Sequence, residues 1–122
     1  MGAHVLVVDD DLAVCESTCS ILESAGYETT PAHDGLEALE IVRSSPEIDA
    51  VILDLFMPRL DGLGVLDTMP DGPVVIVVSA FAHRSLAEVR ERYWTKVCAF
   101  LQKPVRPPAL IQTVKHCLTT VT

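Results

Sequence analysis

Short apolar runs alternate with stretches of helical periodicity five times along this chain. The runs predict five β-strands, at His4–Val8, Glu28–Ala32, Ala50–Leu53, Val74–Val78 and Val97–Leu101. The third run is apolar throughout, as expected for a central strand that is covered on both faces. Regular alternation of strands with helices favours β-α units and therefore a parallel sheet.

Helical periodicity between and after these runs predicts five α-helices. The first helix takes Asp10 or Asp11 as its N-cap and ends at Gly26. The positions predicted to face inward on this helix are Val14, Thr18, Ile21, Leu22 and Ala25. The other four helices are predicted at Gly35–Ser44, Gly62–Met69, Ser85–Trp94 and Pro107–Leu118. Trp94 is expected to pack at the end of the fourth helix.

The second predicted strand contains Pro31, and a proline inside a strand is tolerated mainly at a sheet edge. Placing that strand at the edge gives the order 2-1-3-4-5 of an open doubly wound sheet with helices on both faces. We expect one three-layer α/β domain over residues 1–122, because the sequence shows no linker or repeat. In such a sheet, ligands bind beyond the carboxyl ends of the strands where the strand order reverses, here between strands one and three.

Functional side chains follow the ends of four predicted strands. Asp9 and Asp10 follow the first strand, Asp54 the third, Ser79 the fourth and Lys103 the fifth. Carboxylates about 4 Å apart repel by ~4 kcal/mol per pair at an effective dielectric constant of about 20, so a cation is needed to offset them. Mg²⁺ suits such a cluster, because it prefers oxygen ligands and keeps several waters. Asp54 stands alone at its strand end and is therefore the candidate nucleophile toward a phosphoryl group, whereas Asp9 and Asp10 are suited to hold the metal.

The composition narrows the classes of function. The formal net charge of −8 and the sequence pI near 4.7 argue against direct nucleic-acid binding, which requires clustered lysine and arginine. No segment approaches the ~18 consecutive apolar residues of a membrane-spanning helix, and we expect a cytosolic protein without a membrane partner. The four cysteines have no C-x-x-C spacing and are expected to be buried thiols.

Several short motifs at the strand ends together resemble those of one known family. They are Val8-Asp9-Asp10, Asp54 with Met57-Pro58, Asp61-Gly62, Ser79-Ala80, Phe100 and Lys103-Pro104. In this order the chain resembles the receiver domain of bacterial two-component response regulators, of the chemotaxis-regulator type, over essentially its whole length. The resemblance implies a flavodoxin-like fold and a phosphoacceptor rather than a dedicated turnover enzyme.

The resemblance also implies roles for individual residues. Asp54 would accept phosphate from the phosphohistidine of a histidine kinase or histidine phosphotransfer domain. Asp10, Asp54 and the main-chain carbonyl of Phe56 would bind Mg²⁺ or Mn²⁺, with Asp9 assisting through water. Ser79 and Lys103 would contact the phosphoryl oxygens, and the Lys103-Pro104 peptide bond is expected to be cis.

Ser79 and Phe100 match the family's switch pair, which links the phosphoryl group to the face formed by helix four, strand five and helix five. A static core role for Phe100 stays open, because its ring lacks a hydroxyl that would favour an outward position. The turn before strand five departs from the family's usual Gly-Ala and reads Lys96-Val97. A downstream protein, a covalent output domain or a second copy of the chain would be compatible partners of this face.

Two other functions remain open from the sequence. One is a receiver-like binding module that is never phosphorylated, which the departure at Lys96-Val97 keeps in consideration. The other is a phosphatase with an aspartyl-phosphate intermediate, which typically needs an acid at the position of Phe56. For the phosphoacceptor, the phosphodonor is expected to dock near Leu12, Ala13 and Val105-Arg106, because these positions border the acidic cluster.

Overall fold

A computed structural model describes residues 2–55, 62–80 and 90–119 of the chain. Its strands are β1 (His4–Val8), β2 (Glu28–Ala32), β3 (Ile48–Asp54), β4 (Val74–Ser79) and β5 (Val97–Gln102). Its helices are α1 (Leu12–Ser24), α2 (Gly35–Ser44), α3 (Gly62–Thr68), α4 (described over residues 90–93) and α5 (Pro107–Thr119). The other predicted elements lie where the pattern put them, with ends that differ by one or two residues, whereas residues 85–89 of the fourth predicted helix lie outside the described residues.

The five strands form one parallel sheet in the order β2-β1-β3-β4-β5, which confirms the predicted order. Pro31 lies in the edge strand β2, opposite Val7 of β1. An edge strand leaves one row of amides outside the ladder, so a residue without an N–H group is tolerated there.

The sheet separates two apolar layers. On one side, α2 and α3 pack with Tyr93 and Phe100 against alternate residues of the central strands. On the other side, α1 and α5 pack against the intervening residues. Because β1, β3 and β4 are covered on both faces, nearly all their side chains are buried, which explains their continuous apolar runs.

The face of α1 that packs on the sheet is rotated by about one residue from the predicted inner face. The side chains that α1 buries are Cys15, Cys19 and Leu22, whereas Val14 is 37% exposed. Residues 15, 19 and 22 also follow the helical spacing, and the periodicity of so short a segment did not separate the two faces. Small cysteine side chains allow α1 to approach the sheet closely, and Cys15 Sγ lies 3.6 Å from the carbonyl oxygen of Val7.

Two aspartates are the N-caps of the helices that follow β1 and β2. Asp11 is the N-cap of α1, and its carboxylate accepts hydrogen bonds from the amides of Ala13 and Val14. Asp34 caps α2 in the same way by accepting from the amide of Glu37. Asp11 rather than Asp10 therefore satisfies the first turn of α1, which leaves the Asp10 carboxylate available to the acidic cluster.

Two expectations about side chains are wrong. Cys98 and Cys117 form a disulfide, although four buried thiols were predicted, and only Cys15 and Cys19 are free and buried. Trp94 is 71% exposed instead of packed, because it lies in the turn that follows α4. Within the described residues, none of the helices is long and apolar enough to cross a membrane.

Candidate phosphoryl and metal site

Three carboxylates meet at the carboxyl ends of β1 and β3. Asp9, Asp10 and Asp54 each place a carboxylate oxygen within 4.8 Å of the others. The strand register causes this meeting, because Val8 pairs with Leu53 and both strands end at the same height in the sheet. Asp9 and Asp54 are buried, and Asp10 is exposed at the mouth of the cluster.

Lys103 provides the positive charge beside these carboxylates. Its ammonium nitrogen lies 2.8 Å from Asp9 Oδ2 and 3.2 Å from Asp54 Oδ2. The backbone positions it, because the Lys103 amide donates a 2.8 Å hydrogen bond to the carbonyl oxygen of Ser79 at the end of β4. The Lys103-Pro104 peptide bond is cis, which confirms the expectation.

The electrostatics of Lys103 are a balance of two opposing effects. Partial burial alone would lower the pKa of the ammonium group, but hydrogen bonds and charges from Asp9 and Asp54 outweigh that effect. The pKa of Lys103 is therefore raised above its ordinary value. Lys103 stays fully charged near neutral pH and offsets part of the repulsion among the carboxylates.

The predicted switch residues lie on the α3 side of the sheet. Ser79 is fully buried at the end of β4, and Phe100 pairs with Val77, two residues before Ser79 on the same strand. Phe100 packs half-buried against the apolar layer of α2 and α3. The Arg90 guanidinium lies over the Phe100 ring, and its central carbon is 5.2 Å from the ring centroid.

The sequence did not reveal the contact between Arg90 and Phe100 or the role of Lys96. Lys96 Nζ donates a 2.6 Å hydrogen bond to the main-chain carbonyl of Leu66 in the last turn of α3. Pro70 could have indicated that the Leu66 carbonyl needs another donor. A proline four residues after Leu66 has no amide N–H to donate to that carbonyl in the helix. The departure at Lys96-Val97 thus has a structural reason in this chain.

An apolar groove leads away from the acidic cluster between α1 and α5. Its volume is about 610 Å³, and it begins at Asp9, Asp54 and Lys103. The side chains that line it further out include Ala13, Val14, Ile21, Val105 and Leu110. Val14, predicted to face the core, instead borders this groove, whereas Ile21 borders the groove and also packs, partly buried, against the core.

The donor set fits a hard divalent cation. All three ligand groups are carboxylates, and Mg²⁺ and Mn²⁺ both favour oxygen donors. Phe56, predicted to contribute its carbonyl, lies outside the described residues, as do Met57, Pro58 and Asp61. Within the described part of the chain, Asp9, Asp10 and Asp54 are the residues that could hold such a cation.

Comparisons with known proteins agree on one family. Residues 5–115 match the response regulator receiver domain family. The chain is 46% identical over 83 residues to the response regulator MprA of Mycobacterium ulcerans, a match that covers 65% of this chain and 35% of that protein. This chain thus spans about a third of the length of the curated relatives it matches.

Solved structures agree on the fold. A CheY-like receiver domain protein from Methanospirillum hungatei superposes with a TM-score of 0.88 at 27% identity, covering 98% of this chain and 96% of that one. NtrX from Brucella abortus superposes with a TM-score of 0.86 at 30% identity, covering 98% of this chain and 28% of that one. The expected flavodoxin-like fold is therefore confirmed. The chain belongs to the response regulator receiver domain family, the signalling domains of two-component systems.

Proposed function

We propose that residues 1–122 form one receiver domain that accepts a phosphoryl group on Asp54 from a phosphohistidine. The observation that carries the proposal is the contact of Lys103 with both Asp9 and Asp54 beside the exposed Asp10. A cluster with two buried carboxylates is costly to maintain for stability alone, because each buried charge must be offset. A phosphoryl-transfer site needs such charges near the reacting oxygen.

In the proposed transfer, an Asp54 carboxylate oxygen attacks the phosphorus of the donor. A P–O bond forms, the P–N bond breaks, and the leaving imidazole takes up a proton. Lys103 has three ammonium protons, so it can hold the carboxylates and still donate to a phosphoryl oxygen. The buried hydroxyl of Ser79 would donate to another phosphoryl oxygen from the end of the neighbouring strand.

A divalent cation fits this chemistry. Asp9, Asp10 and Asp54 would hold Mg²⁺ or Mn²⁺, with Phe56 contributing its carbonyl as the family resemblance implies. The bound cation would supply positive charge to the phosphoryl oxygens and reduce the repulsion between the phosphate and the carboxylates. The chain would then act as a phosphoacceptor that catalyses its own phosphorylation and dephosphorylation, not as an enzyme that turns over a substrate.

The proposed output follows from the neighbours of Ser79. Movement of the Ser79 hydroxyl toward the phosphate would free space for the Phe100 ring to turn inward and leave the Arg90 guanidinium. A shift in the populations of these two arrangements would alter the face of α4, β5 and α5. A downstream protein, an output domain or a second copy would read that face.

The proposed donor would dock at the rim of the apolar groove. Leu12 is 59% exposed and Ala13 is also exposed, while Val105 and Arg106 lie across the groove at the start of α5. We expect Leu12→Asp to slow phosphotransfer from a histidine phosphotransfer domain. Leu36→Asp changes another exposed leucine, on α2, and should leave the rate unchanged; equal rates in all three proteins would refute this docking site.

The experiment for the acceptor is intact-mass measurement after incubation with acetyl phosphate, with and without Mg²⁺. We expect the wild type to gain one phosphoryl group only with Mg²⁺, and Asp54→Asn to gain none. Asp71→Asn removes an exposed aspartate far from the cluster and should behave as the wild type. No gain in the wild type under any condition would favour the unphosphorylated binding module.

The same reaction can test the switch. Trp94 is the only tryptophan and is 71% exposed beside α4, so its fluorescence reports on that face. We expect phosphorylation to change the fluorescence of the wild type. Arg90→Ala should keep the mass gain and alter the size of this change; an unchanged signal in both proteins would contradict the proposed movement of Phe100.

A further inference from the structure

The disulfide between Cys98 and Cys117 joins β5 to α5 on the layer opposite Phe100. Cys98 is the second residue of β5, and Cys117 lies in the last turn of α5. Their Cα atoms are 6.0 Å apart, a separation at which two cysteines can bond without moving the backbone.

An irregularity in the sheet directs Cys98 toward α5. Val75 of β4 pairs with Val97, but the next residue, Ile76, pairs with Ala99, so Cys98 is an extra residue in β5. Such a bulge changes the direction of a side chain relative to regular alternation. Val97 and Phe100 pack on the α3 side and Ala99 packs on the α5 side, and the bulge lets Cys98 reach Cys117 as well.

The two partners differ in access to solvent. Cys98 is an exposed residue of the edge strand, whereas Cys117 is fully buried under α5. Cys98 is therefore the member of the pair that a reagent in solution can approach. Cys117, on the inner face of α5, is bonded to the sulfur of Cys98.

The other two cysteines of the chain are both shielded from solvent and unreactive. Cys15 and Cys19 are both buried under α1, and burial raises the pKa of the Cys15 thiol to about 12. The nucleophile in thiol chemistry is the thiolate, so a raised pKa makes a cysteine inert. The chain thus contains one inert pair of cysteines and one pair with an accessible member.

We propose that Cys98 and Cys117 form a reversible thiol–disulfide modification site that a hydroperoxide oxidises. The Cys98 thiolate attacks a peroxide oxygen and the O–O bond breaks, which gives a sulfenic acid on Cys98 and, from hydrogen peroxide, one water. The Cys117 sulfur then attacks the Cys98 sulfur, the S–O bond breaks, and a second water leaves with the Cys117 proton. Overall, two thiols lose two electrons and two protons, and hydrogen peroxide becomes two waters; a dithiol reverses the change.

Oxidation would fix α5 against β5 without involving the acidic cluster. The bond lies at the amino end of β5, whereas Lys103 follows the carboxyl end of the same strand. Asp54 phosphorylation and Cys98 oxidation would therefore be chemically independent while both act on the face of α4, β5 and α5. The thiol proposal does not require Asp54 to be a phosphoacceptor.

The test begins with fully reduced protein treated with hydrogen peroxide, followed by alkylation and intact-mass measurement. We expect the wild type and Cys19→Ser to lose two alkylatable thiols and to recover both with dithiothreitol. Cys117→Ser should instead retain a sulfenic acid on Cys98 that dimedone traps. Burial raises the pKa of the Cys15 thiol to about 12, so little thiolate is present at pH 8 and Cys15 should not react.

Thermal unfolding provides a second readout. The bond closes a loop with a sequence separation of 19, so oxidation should raise the melting temperature of the wild type by roughly 5–10 °C. Cys98→Ser should show no redox-dependent shift. Failure of the reduced wild type to form the bond, or oxidation of Cys15 and Cys19 before Cys98, would overturn the proposal. Acetyl phosphate uptake measured in both redox states separates this outcome from a failure of the phosphoacceptor assignment.

Discussion

At the scale of single residues, Lys103 is the side chain on which the acidic cluster depends most directly. It contacts Asp9 and Asp54, both buried, while its own side chain remains 24% exposed. Removing one member of a buried charged group leaves its partners without compensation, and that cost exceeds the net gain from the pair itself. Lys103 therefore stabilises the fold as well as the site.

We expect Lys103→Met to lower the free energy of unfolding at pH 7 by about 1–3 kcal/mol, because two buried carboxylates lose their cation. Added Mg²⁺ should restore part of this loss by replacing the missing charge. Urea unfolding with and without Mg²⁺ measures both effects. Lys115→Met removes an exposed lysine of α5 and is the matched control; equal losses in the two variants would contradict the role of Lys103.

Prediction from sequence was most successful for residues at strand ends. Asp9, Asp10, Asp54, Ser79 and Lys103 each follow an apolar run, and parallel strands bring their carboxyl ends together. Their functional roles remain predictions, but their meeting in space followed from the pattern alone.

Contacts between side chains that lie far apart in the sequence or on different elements could not be predicted in this way. The bond between Cys98 and Cys117 depends on a bulge that no local pattern announces, and the Arg90–Phe100 contact depends on where α4 lies. Both are set by tertiary packing rather than by local propensity.

At the scale of elements, the end of α3 is held by the last residue of α4 and by the turn that follows it. Lys96 donates to the Leu66 carbonyl, and Tyr93 Oη donates a 2.6 Å hydrogen bond to Asp67 Oδ1. Arg92 also lies 3.6 Å from Asp67, but both side chains are largely exposed, so this ion pair contributes little. Two hydrogen bonds thus connect α3 to the end of α4 and to the turn that leads into β5.

Replacing Lys96 should weaken this connection. We expect Lys96→Met to lower the free energy of unfolding by about 1 kcal/mol, because Pro70 leaves the Leu66 carbonyl without a helical donor. Chemical denaturation measures the loss. Arg92→Met removes the ion pair with Asp67 and the contact of its guanidinium with the Tyr93 ring. It should cost less stability than Lys96→Met, because the Arg92 side chain is largely exposed; a larger loss in Arg92→Met than in Lys96→Met would refute this account.

At the scale of the whole molecule, three groups predict that stability decreases at alkaline pH. Burial raises the pKa values of the Cys15 and Cys19 thiols, and contacts with Asp9 and Asp54 raise that of Lys103 despite its burial. A raised pKa means that the folded chain keeps its proton to higher pH than the unfolded chain does. The stabilisation is therefore complete below the unfolded-state pKa values and is lost as pH rises through the folded-state values.

For Cys15, this window runs from the ordinary value of 9.0 to about 12. We expect the free energy of unfolding to fall steadily as pH rises above about 9. Cys15→Ala should show a smaller decrease, because one titrating group is gone. Urea unfolding at several pH values between 8 and 11 measures the slope, and a wild-type stability that stayed constant or rose over this range would contradict the prediction.

The central sheet also separates the places at which the two proposed modifications act. It divides the apolar interior into two layers, one with Phe100 and one with Cys117, and no side chain among the described residues belongs to both. If the two proposed modifications hold, each acts first on its own layer, and neither chemical event prevents the other. One small domain would then have four states, with Asp54 phosphorylated or not and the two cysteines oxidised or reduced. A partner protein that binds β5 and α5 would then respond to phosphorylation of Asp54 and to oxidation of Cys98 together, so the domain would act as a coincidence detector.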